Sequence, residues 1–387
     1  MPVQFMQRYL RQLLILALLA SPAARAQSAK PEDAIALEQQ QKWAEAVQVW
    51  KAAIAQNPND AAAFAALGVD FSRLQKYGEA AAAYRNALRL NPRLPGIRFN
   101  LGLAEFKQEH FPPASAAFQA VLAADPKNGQ ARTLLGMSEY AEKKFDLAAQ
   151  HLEPASKADP ENAELHQMLA ESCLWAKKLE CAKEEFRQLL LRSPESASTH
   201  VLMGQALDGL GQTKEAIAEF EAAAKIAPNE PNVHSGLGFL LWKSQQYDDA
   251  RKEFELELAH DPNHDLALAY LGDIDWKADR PEVALPLLLK AVKINKTLRF
   301  AYVDLGSIYL SQKNYKEAEP AFLQAIKLGP GESDAHYQLG RLYQALGKKV
   351  DAERELKTVR DLQEKADQKT AGRTAPPSAN EESTQQK

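Results

Sequence analysis

The sequence predicts an all-α chain of about ten 34-residue helix-turn-helix repeats, an α-solenoid, and three residue series predict it. Stepping by 34 from Ala80 in both directions gives alanine ten times, from Ala46 to Ala352, with no insertion. Four residues after each alanine stands a large apolar side chain: Trp50, Tyr84, Phe118, Leu152, Phe186, Phe220, Phe254, Leu288, Phe322 and Leu356. Twelve residues before the alanine stands a small residue, glycine from Gly68 to Gly340 except for Ala170. A fixed period of this length marks a stacked array whose repeats bury their faces against neighbours. It also explains how 387 residues can fold without one oversized core.

Each repeat is read as two antiparallel helices. The small residue of the first helix is expected to meet the alanine of the second, letting the backbones approach. The large residue four positions on lies on the same helix face as the alanine. Twelve residues after the alanine a proline ends the second helix (Pro58, Pro92, Pro126, Pro160, Pro194, Pro228, Pro262, Pro330), and Lys296 breaks that series once. Proline lacks an N–H and clashes with the preceding turn. The Asn or Asp two residues later, as in NPND, DPKN and DPEN, can cap the next helix.

In chain order, residues 1–26 read as a signal peptide. Arg8 and Arg11 precede the apolar run Leu13–Ala20, and Ala24 and Ala26 have small-x-small spacing. The run is too short to span a bilayer of about 30 Å, so no transmembrane segment is expected after cleavage. Residues 27–366 form the solenoid: an atypical N-terminal cap repeat at 27–60, regular repeats at 61–332 and a C-terminal capping repeat at 333–366. The first helix is expected to start at Pro31. Pro281 suits a helix start, Pro286 and Pro320 fall near the end of a first turn, and Pro154 should bend its helix. In the last repeat Ala352, Leu356, Val359 and Leu362 make one apolar stripe on an otherwise charged helix. Residues 367–387 lack apolar periodicity and are expected to be disordered.

This pattern resembles the tetratricopeptide repeat family. The family signature is well matched in AAAFAALGVDFSRLQKYGEAAAAYRNALRLNP (61–92) and RFAYVDLGSIYLSQKNYKEAEPAFLQAIKLGP (299–330), and the resemblance covers about 31–366. It implies a right-handed superhelix of helix pairs, with the first helices lining an inner groove. Some family members clamp a partner's C-terminal carboxylates with lysine at position 5, counting position 1 as fifteen residues after the preceding repeat's alanine. Here that position holds Ala65, Phe99, Thr133, Gln167, Val201, Ser235, Ala269, Val303 and Tyr337, so this clamp is missing. Of the asparagine ladder at position 6 found in the family's sugar transferases, only Asn100 remains.

The net charge of −4 argues against a sequence-independent nucleic-acid binder, which needs a basic stripe. No phosphate-binding GxxxxGK[ST], no GxSxG and no HExxH occurs. No cofactor is implied and the chain is not expected to be an enzyme. His166, His200, His234 and His336 all fall at position 4, a packing slot repeated along the array, and successive repeats are too far apart to share a metal. His260 and His264 in HDPNH read as an exposed linker rather than a metal site. The only cysteines, Cys173 and Cys181, could pair in an exported protein and tie two neighbouring helices; spacing alone leaves their separation open.

Helical spacing places positions 2, 5, 9, 12 and 13 on the inner face. The large side chains there are Phe99, Phe106, Met137, Tyr140, Trp175, Phe239, Trp242 and Trp276, with Phe300 at position 2. In repeats 3, 4 and 8 a carboxylate (Glu105, Glu139, Asp275) holds the aromatic slot at position 11. There Phe106, Tyr140 and Trp276 could fill the core after a small rotation. In repeat 7 Leu241 already fills that slot, so Trp242 is surplus and expected to face a partner; Trp242→Ala should then weaken binding and barely alter stability. Trp and Tyr are favoured interface anchors, and exposed apolar patches mark binding sites. The expected function is a non-catalytic protein–protein scaffold of the cell envelope, periplasmic or secreted, binding a peptide or protein segment of unknown identity. The alternatives are a module that recruits an envelope enzyme and a glycan or small-ligand binder.

Overall fold

The structure, a computed structural model, describes residues 30–230 and 232–374. The signal-peptide segment 1–26 and tail residues 375–387 lie outside the described residues. Among the described residues are twenty helices and no strand, in ten successive hairpins that form an α-solenoid of helical repeats. The hairpins are α1 (Pro31–Gln39) with α2 (Trp43–Gln56), α3 (Ala61–Arg73) with α4 (Tyr77–Leu90), and α5 (Ile97–Phe106) with α6 (Phe111–Ala124). Next come α7 (Gly129–Ala141) with α8 (Phe145–Ala158), α9 (Ala163–Trp175) with α10 (Leu179–Arg192), and α11 (Ala197–Gly209) with α12 (Thr213–Ile226). The last four are α13 (Val233–Lys243) with α14 (Tyr247–His260), α15 (Asp265–Lys277) with α16 (Pro281–Ile294), α17 (Arg299–Ser311) with α18 (Tyr315–Leu328), and α19 (Ser333–Ala345) with α20 (Lys349–Thr374).

Five of the ten first helices (α3, α7, α9, α11 and α15) begin at side-chain caps. Asp60 accepts from the amides of Ala62 and Ala63, both at 3.0 Å, and Asn128 and Asn162 accept from Ala131 and Leu165. His264 caps α15 in the same way, with Nδ1 accepting from the Ala267 amide at 3.2 Å. The hydrogen bond fixes that ring's tautomer, and the linker histidine has become a cap.

Within each hairpin the turn has one recurring geometry. The Gln246 amide reaches back to the Leu241 carbonyl and the Gln245 amide to Trp242, both at 2.9 Å, with Gln245 left-handed at φ 61°. These are the two bonds of a Schellman motif. The same left-handed position recurs from Gln41 through Lys313, and only Gly211 and Gly347 fill it with glycine.

The small residue of the first helix does not chiefly accommodate the alanine, as the sequence suggests. A Cβ at Gly238 would stand 2.8 Å from Phe254 Cε1, at Gly68 2.5 Å from Tyr84 Cε1, and at Gly306 2.5 Å from Phe322 Cε1. The large residue of the second helix packs directly against the glycine, so the two series are partners in a single contact. The alanines, from Ala46 to Ala352, are themselves fully or almost fully buried.

Pro154, Pro286 and Pro320 all lie inside continuous helices. At the C-terminus α20 runs through Thr374, eight residues beyond the boundary expected at 366. Loss of apolar periodicity reports loss of packing, whereas DQKTA contains no strong helix breaker.

The chain divides into two compact bodies, Met1–Glu185 and Phe186–Lys387. In the first, Val47, Trp50, Phe71 and Tyr84 anchor one buried cluster, and Phe118 and Leu135 another. In the second, Leu288, Leu305 and Ile308 anchor one cluster, and Phe322, Leu339 and Leu342 another. Cys173 at the end of α9 and Cys181 in α10 are joined by a disulfide, with Cα atoms 5.8 Å apart.

Candidate partner-binding face

In the C-terminal body, the first helices of repeats 7, 8 and 9 bring four aromatic rings into one cluster, with a fifth from behind on α14. Phe239 and Trp242 of α13 stack at 6.1 Å between centroids. Tyr270 of α15 lies 5.7 Å from Phe239 and 4.9 Å from Trp242. Its ring also stacks on Phe300 of α17 at 4.9 Å and on the buried Phe254 of α14 at 5.3 Å. Phe239, Trp242, Tyr270 and Phe300 are all half-buried. Tyr247, at the start of α14, completes the set through Lys277, whose Nζ lies 4.7 Å from the Trp242 centroid and 5.6 Å from that of Tyr247.

Trp242 is therefore not a loose surplus. Its Nε1 donates to Asp273 Oδ2 at 2.5 Å, and Lys277 bonds the same carboxylate oxygen. It bridges repeat 7 to repeat 8, because position 12 of one first helix reaches position 9 of the next. The expectation that its removal barely alters stability is corrected accordingly. Burial and the charge of Asp273 push the Tyr270 phenol up to about 12, so the ring stays neutral at physiological pH.

Beside the cluster lies a pocket of about 490 Å³. Its walls include Phe220, Phe239, Leu266 and Tyr270, with Gln205, Asp208 and Ser235 supplying polar atoms. Gln205, Asp208, Ser235, Phe239 and Leu266 stand at positions 9, 12, 5, 9 and 2, the face that helical spacing marks as inner. Position 6 of repeat 7 is Gly236, where a Cβ would come within 2.3 Å of Phe220. The neighbouring repeats carry Leu202 and Tyr270 there. One missing side chain thus lets Phe220 form the floor of a recess.

The other predicted residues are distributed differently. Trp276 is half-buried and packs against the core cluster around Leu288 and Leu305. Phe106 is half-buried edge-on to Phe111 at 5.7 Å. Tyr140 meets Phe145 at 6.1 Å, donates to Glu171, and is pushed up to about 12 by burial and that carboxylate. Trp175 is 52% exposed and lies 6.3 Å from Phe145. Met137 is half-buried. Phe99, edge-on to Phe118 at 5.8 Å, lines two recesses of about 740 and 630 Å³ in the N-terminal body. The structure thus joins only Phe239 and Trp242 of the eight in a direct ring pair. It adds Tyr270, which was missed because position 6 was not counted as inner.

The carboxylates at position 11 are paired where they lie, and of their aromatic neighbours Phe106 and Trp276 pack against core clusters. Glu105 is buried and bonded to Arg85, with His110 Nδ1 at 3.1 Å. Asp275 is buried between Arg251 at 2.5 Å and Arg280 at 2.7 Å. Glu139 meets His151 Nδ1 at 2.6 Å, and burial still holds its carboxyl above the usual range. The position-4 histidines are also paired. His166, His200, His234 and His336 each place Nδ1 2.5–2.7 Å from a glutamate nineteen residues on: Glu185, Glu219, Glu253 and Glu355. The 34-residue register carried this ladder too, in the glutamate three residues after the alanine. Among the described residues no cluster of His, Cys, Asp and Glu could hold a metal ion.

Comparison with known proteins agrees with ten hairpins in one register. Models described as tetratricopeptide repeats match residues 139–206, 209–256 and 309–371, and a second such model matches 99–163 and 236–297. A model described as TPR repeat matches 70–109.

The chain belongs to the tetratricopeptide repeat family.

Several solved tetratricopeptide repeat (TPR) structures resemble it. The crystal structure of the Cut9–Hcn1 hetero-tetramer of APC/C matches at 15% identity, covering 85% of this chain and 79% of that one, with a TM-score of 0.50. YrrB, described as a TPR protein with an unusual peptide-binding site, matches at 24% identity over 47% of this chain and 94% of its own, TM-score 0.39. PilF of Pseudomonas aeruginosa matches at 17% identity over 52% and 92%, TM-score 0.47. At 15% identity the Cut9–Hcn1 likeness speaks for fold alone. None of the curated proteins matches the chain by sequence. TPR repeats are generally non-catalytic scaffolds that bind peptide or protein partners, and among the described residues no helix of this TPR chain is long and apolar enough to cross a membrane.

Proposed function

We propose that this TPR protein is a non-catalytic scaffold of the cell envelope, exported to the periplasm or secreted. It binds a segment of another polypeptide along the first-helix face of repeats 6–9. The observation that carries the binding reading is the aromatic cluster of Phe239, Trp242, Tyr270 and Phe300 beside the recess that Gly236 opens. Mixed aromatic and polar lining suits a side-chain anchor with a few orienting hydrogen bonds. The Cys173–Cys181 bond supports an oxidising compartment, as does the charged-apolar-small pattern of residues 1–26.

Site-specific photo-crosslinking in envelope extracts tests the binding site. A crosslinker at Gln205 or Leu266, on the recess rim, should give a discrete polypeptide adduct. One at Leu191 or Val350, exposed and outside the recess lining, should not. Equal adducts from all four positions, or none from the rim, would remove the assignment. Fractionation of the full-length chain tests export separately: retention in the cytoplasm with reduced cysteines would overturn it.

A further inference from the structure

We propose that the aromatic face of repeats 7–9 holds a site for a basic side chain, lysine or arginine, of the bound segment. Asp304 and Asp273 supply the carboxyl acceptors, and Tyr270, Phe300 and Trp242 wall the site. The inference rests on the partner-segment reading above and names the chemistry of one of its contacts.

Position 6 of repeat 9 is Asp304, in α17 one helical turn after Phe300, so the two share a face. Phe300 stacks on Tyr270 at 4.9 Å. Asp273 follows Tyr270 by three residues in α15 and also shares its face. The two carboxylates and three rings therefore converge from adjacent first helices. Asp304 Oδ2 is shielded from solvent and has no hydrogen-bond partner. Its carboxyl feels both Asp273 and Lys277. Burial and the repulsion of Asp273 raise it well above the usual carboxylate range, and Lys277 opposes that rise.

Lys277 shows how the site receives a cation. Its ammonium bonds Asp273 and sits 4.7 Å over the Trp242 ring, combining a carboxylate with a ring face. Such contacts contribute about 0.5–2 kcal/mol as desolvation increases. Asp273 is thereby served by the chain's own lysine and by the Trp242 indole, whereas Asp304 has no such service for Oδ2. A buried acceptor without a donor costs free energy. A lysine or arginine from a bound segment would provide the donor, supply the opposing charge and lie against the Tyr270–Phe300 stack. An acidic side chain would meet two carboxylates, and an apolar one would leave Oδ2 unpaired.

The test pans a random decapeptide phage library against the full-length protein and its Asp304→Asn variant. A peptide selected on the wild type is then synthesised with its shared basic residue intact or replaced by norleucine. Selected peptides should share a lysine or arginine at one register. Norleucine replacement and Asp304→Asn should each weaken binding by about tenfold, and their combination by little more than either. Lys277→Met, at an exposed position, should tighten the lysine peptide by about threefold by freeing Asp273 and the Trp242 face. Selection of peptides without a shared basic residue would overturn the cation site while leaving the scaffold reading intact. Undiminished binding to a folded Asp304→Asn variant, or weaker binding to Lys277→Met, would also overturn it. No enrichment on the wild type would sink both.

Discussion

Trp242 and Asp70 show how one side chain can be committed to structure in ways its neighbours in the array are not. Trp242 is half-buried, stacked on Phe239 and bonded to Asp273. Trp242→Ala should therefore cost about 2–3 kcal/mol in urea denaturation, below the about 3–5 of a fully buried tryptophan and above the about 0.5 of an exposed one. Trp242→Phe should recover part of the loss but not the indole hydrogen bond. A Trp242→Ala midpoint equal to wild type would show that the cluster is loose. Asp70 stands at position 10, where the other regular repeats carry Ala, Ser, Leu or Ile. It is wholly buried with both oxygens unpartnered, and burial together with Glu38 raises its pKa to about 7. A carboxyl raised in the folded state favours folding while protonated, so its contribution is fullest below about 4 and is lost as pH rises towards about 7. Asp70→Ser should stabilise the protein at neutral pH by about 1–3 kcal/mol. Its melting-temperature advantage over wild type should grow between pH 4 and 7 and then level off; a constant difference would contradict the assignment.

At the scale of a helix pair, the turn, the disulfide and the buried ion pairs each set local stability. Gln245 adopts a left-handed conformation at the Schellman turn, where a side chain costs about 1 kcal/mol or more. Gln245→Gly should raise the denaturation midpoint by about 0.5–1 kcal/mol equivalent. The same change at Ser244, which is not left-handed, should lower it. The Cys173–Cys181 bond closes a loop with a sequence separation of 8 residues. Loop-closure entropy assigns such a bond about 2–3 kcal/mol. Reduction should therefore lower the stability of the α9–α10 hairpin by that order, read as faster amide exchange in Leu169–Phe186. Unchanged exchange on reduction would show the hairpin to be fixed by packing alone. Truncating Asp275, itself buried, would remove the carboxylate that pairs the partly exposed Arg251 and Arg280. Asp275→Ala should destabilise by about 1–3 kcal/mol, since water still reaches both arginines, a loss that Arg280→Ala, retaining Arg251, should only partly reproduce.

Among the described residues, the helix pairs in substantial contact lie one or two places apart in the chain order. Stability in such an array is close to a sum of repeat and nearest-neighbour terms. Each effect predicted above should remain within the altered repeat and its immediate neighbours, which amide exchange resolves repeat by repeat. The long α20 closes the described array with a charged face, as a terminal repeat requires. Helical hairpins, their register, caps and proline-marked ends were all legible in the sequence because each depends on local spacing that recurs every 34 residues. The candidate site was only half legible. Phe239 and Trp242 stood out against a filled core slot, but Tyr270, Gly236 and Asp304 sit at position 6, which looks unremarkable in any one repeat.

The sequence by itself determined the repeat and the helix pair, since a period of 34 acts over short distances along the chain; that the glycine meets the large residue rather than the alanine was decided by packing. Which surplus side chains face outward was decided by tertiary structure. The roles of Trp242, Trp276 and the position-11 carboxylates depend on the next helix pair: Asp273 captures one indole, the core beneath Leu288 holds the other, and arginines compensate Asp275. Those partners are set by how one hairpin stacks on the next, a geometry that no single repeat encodes.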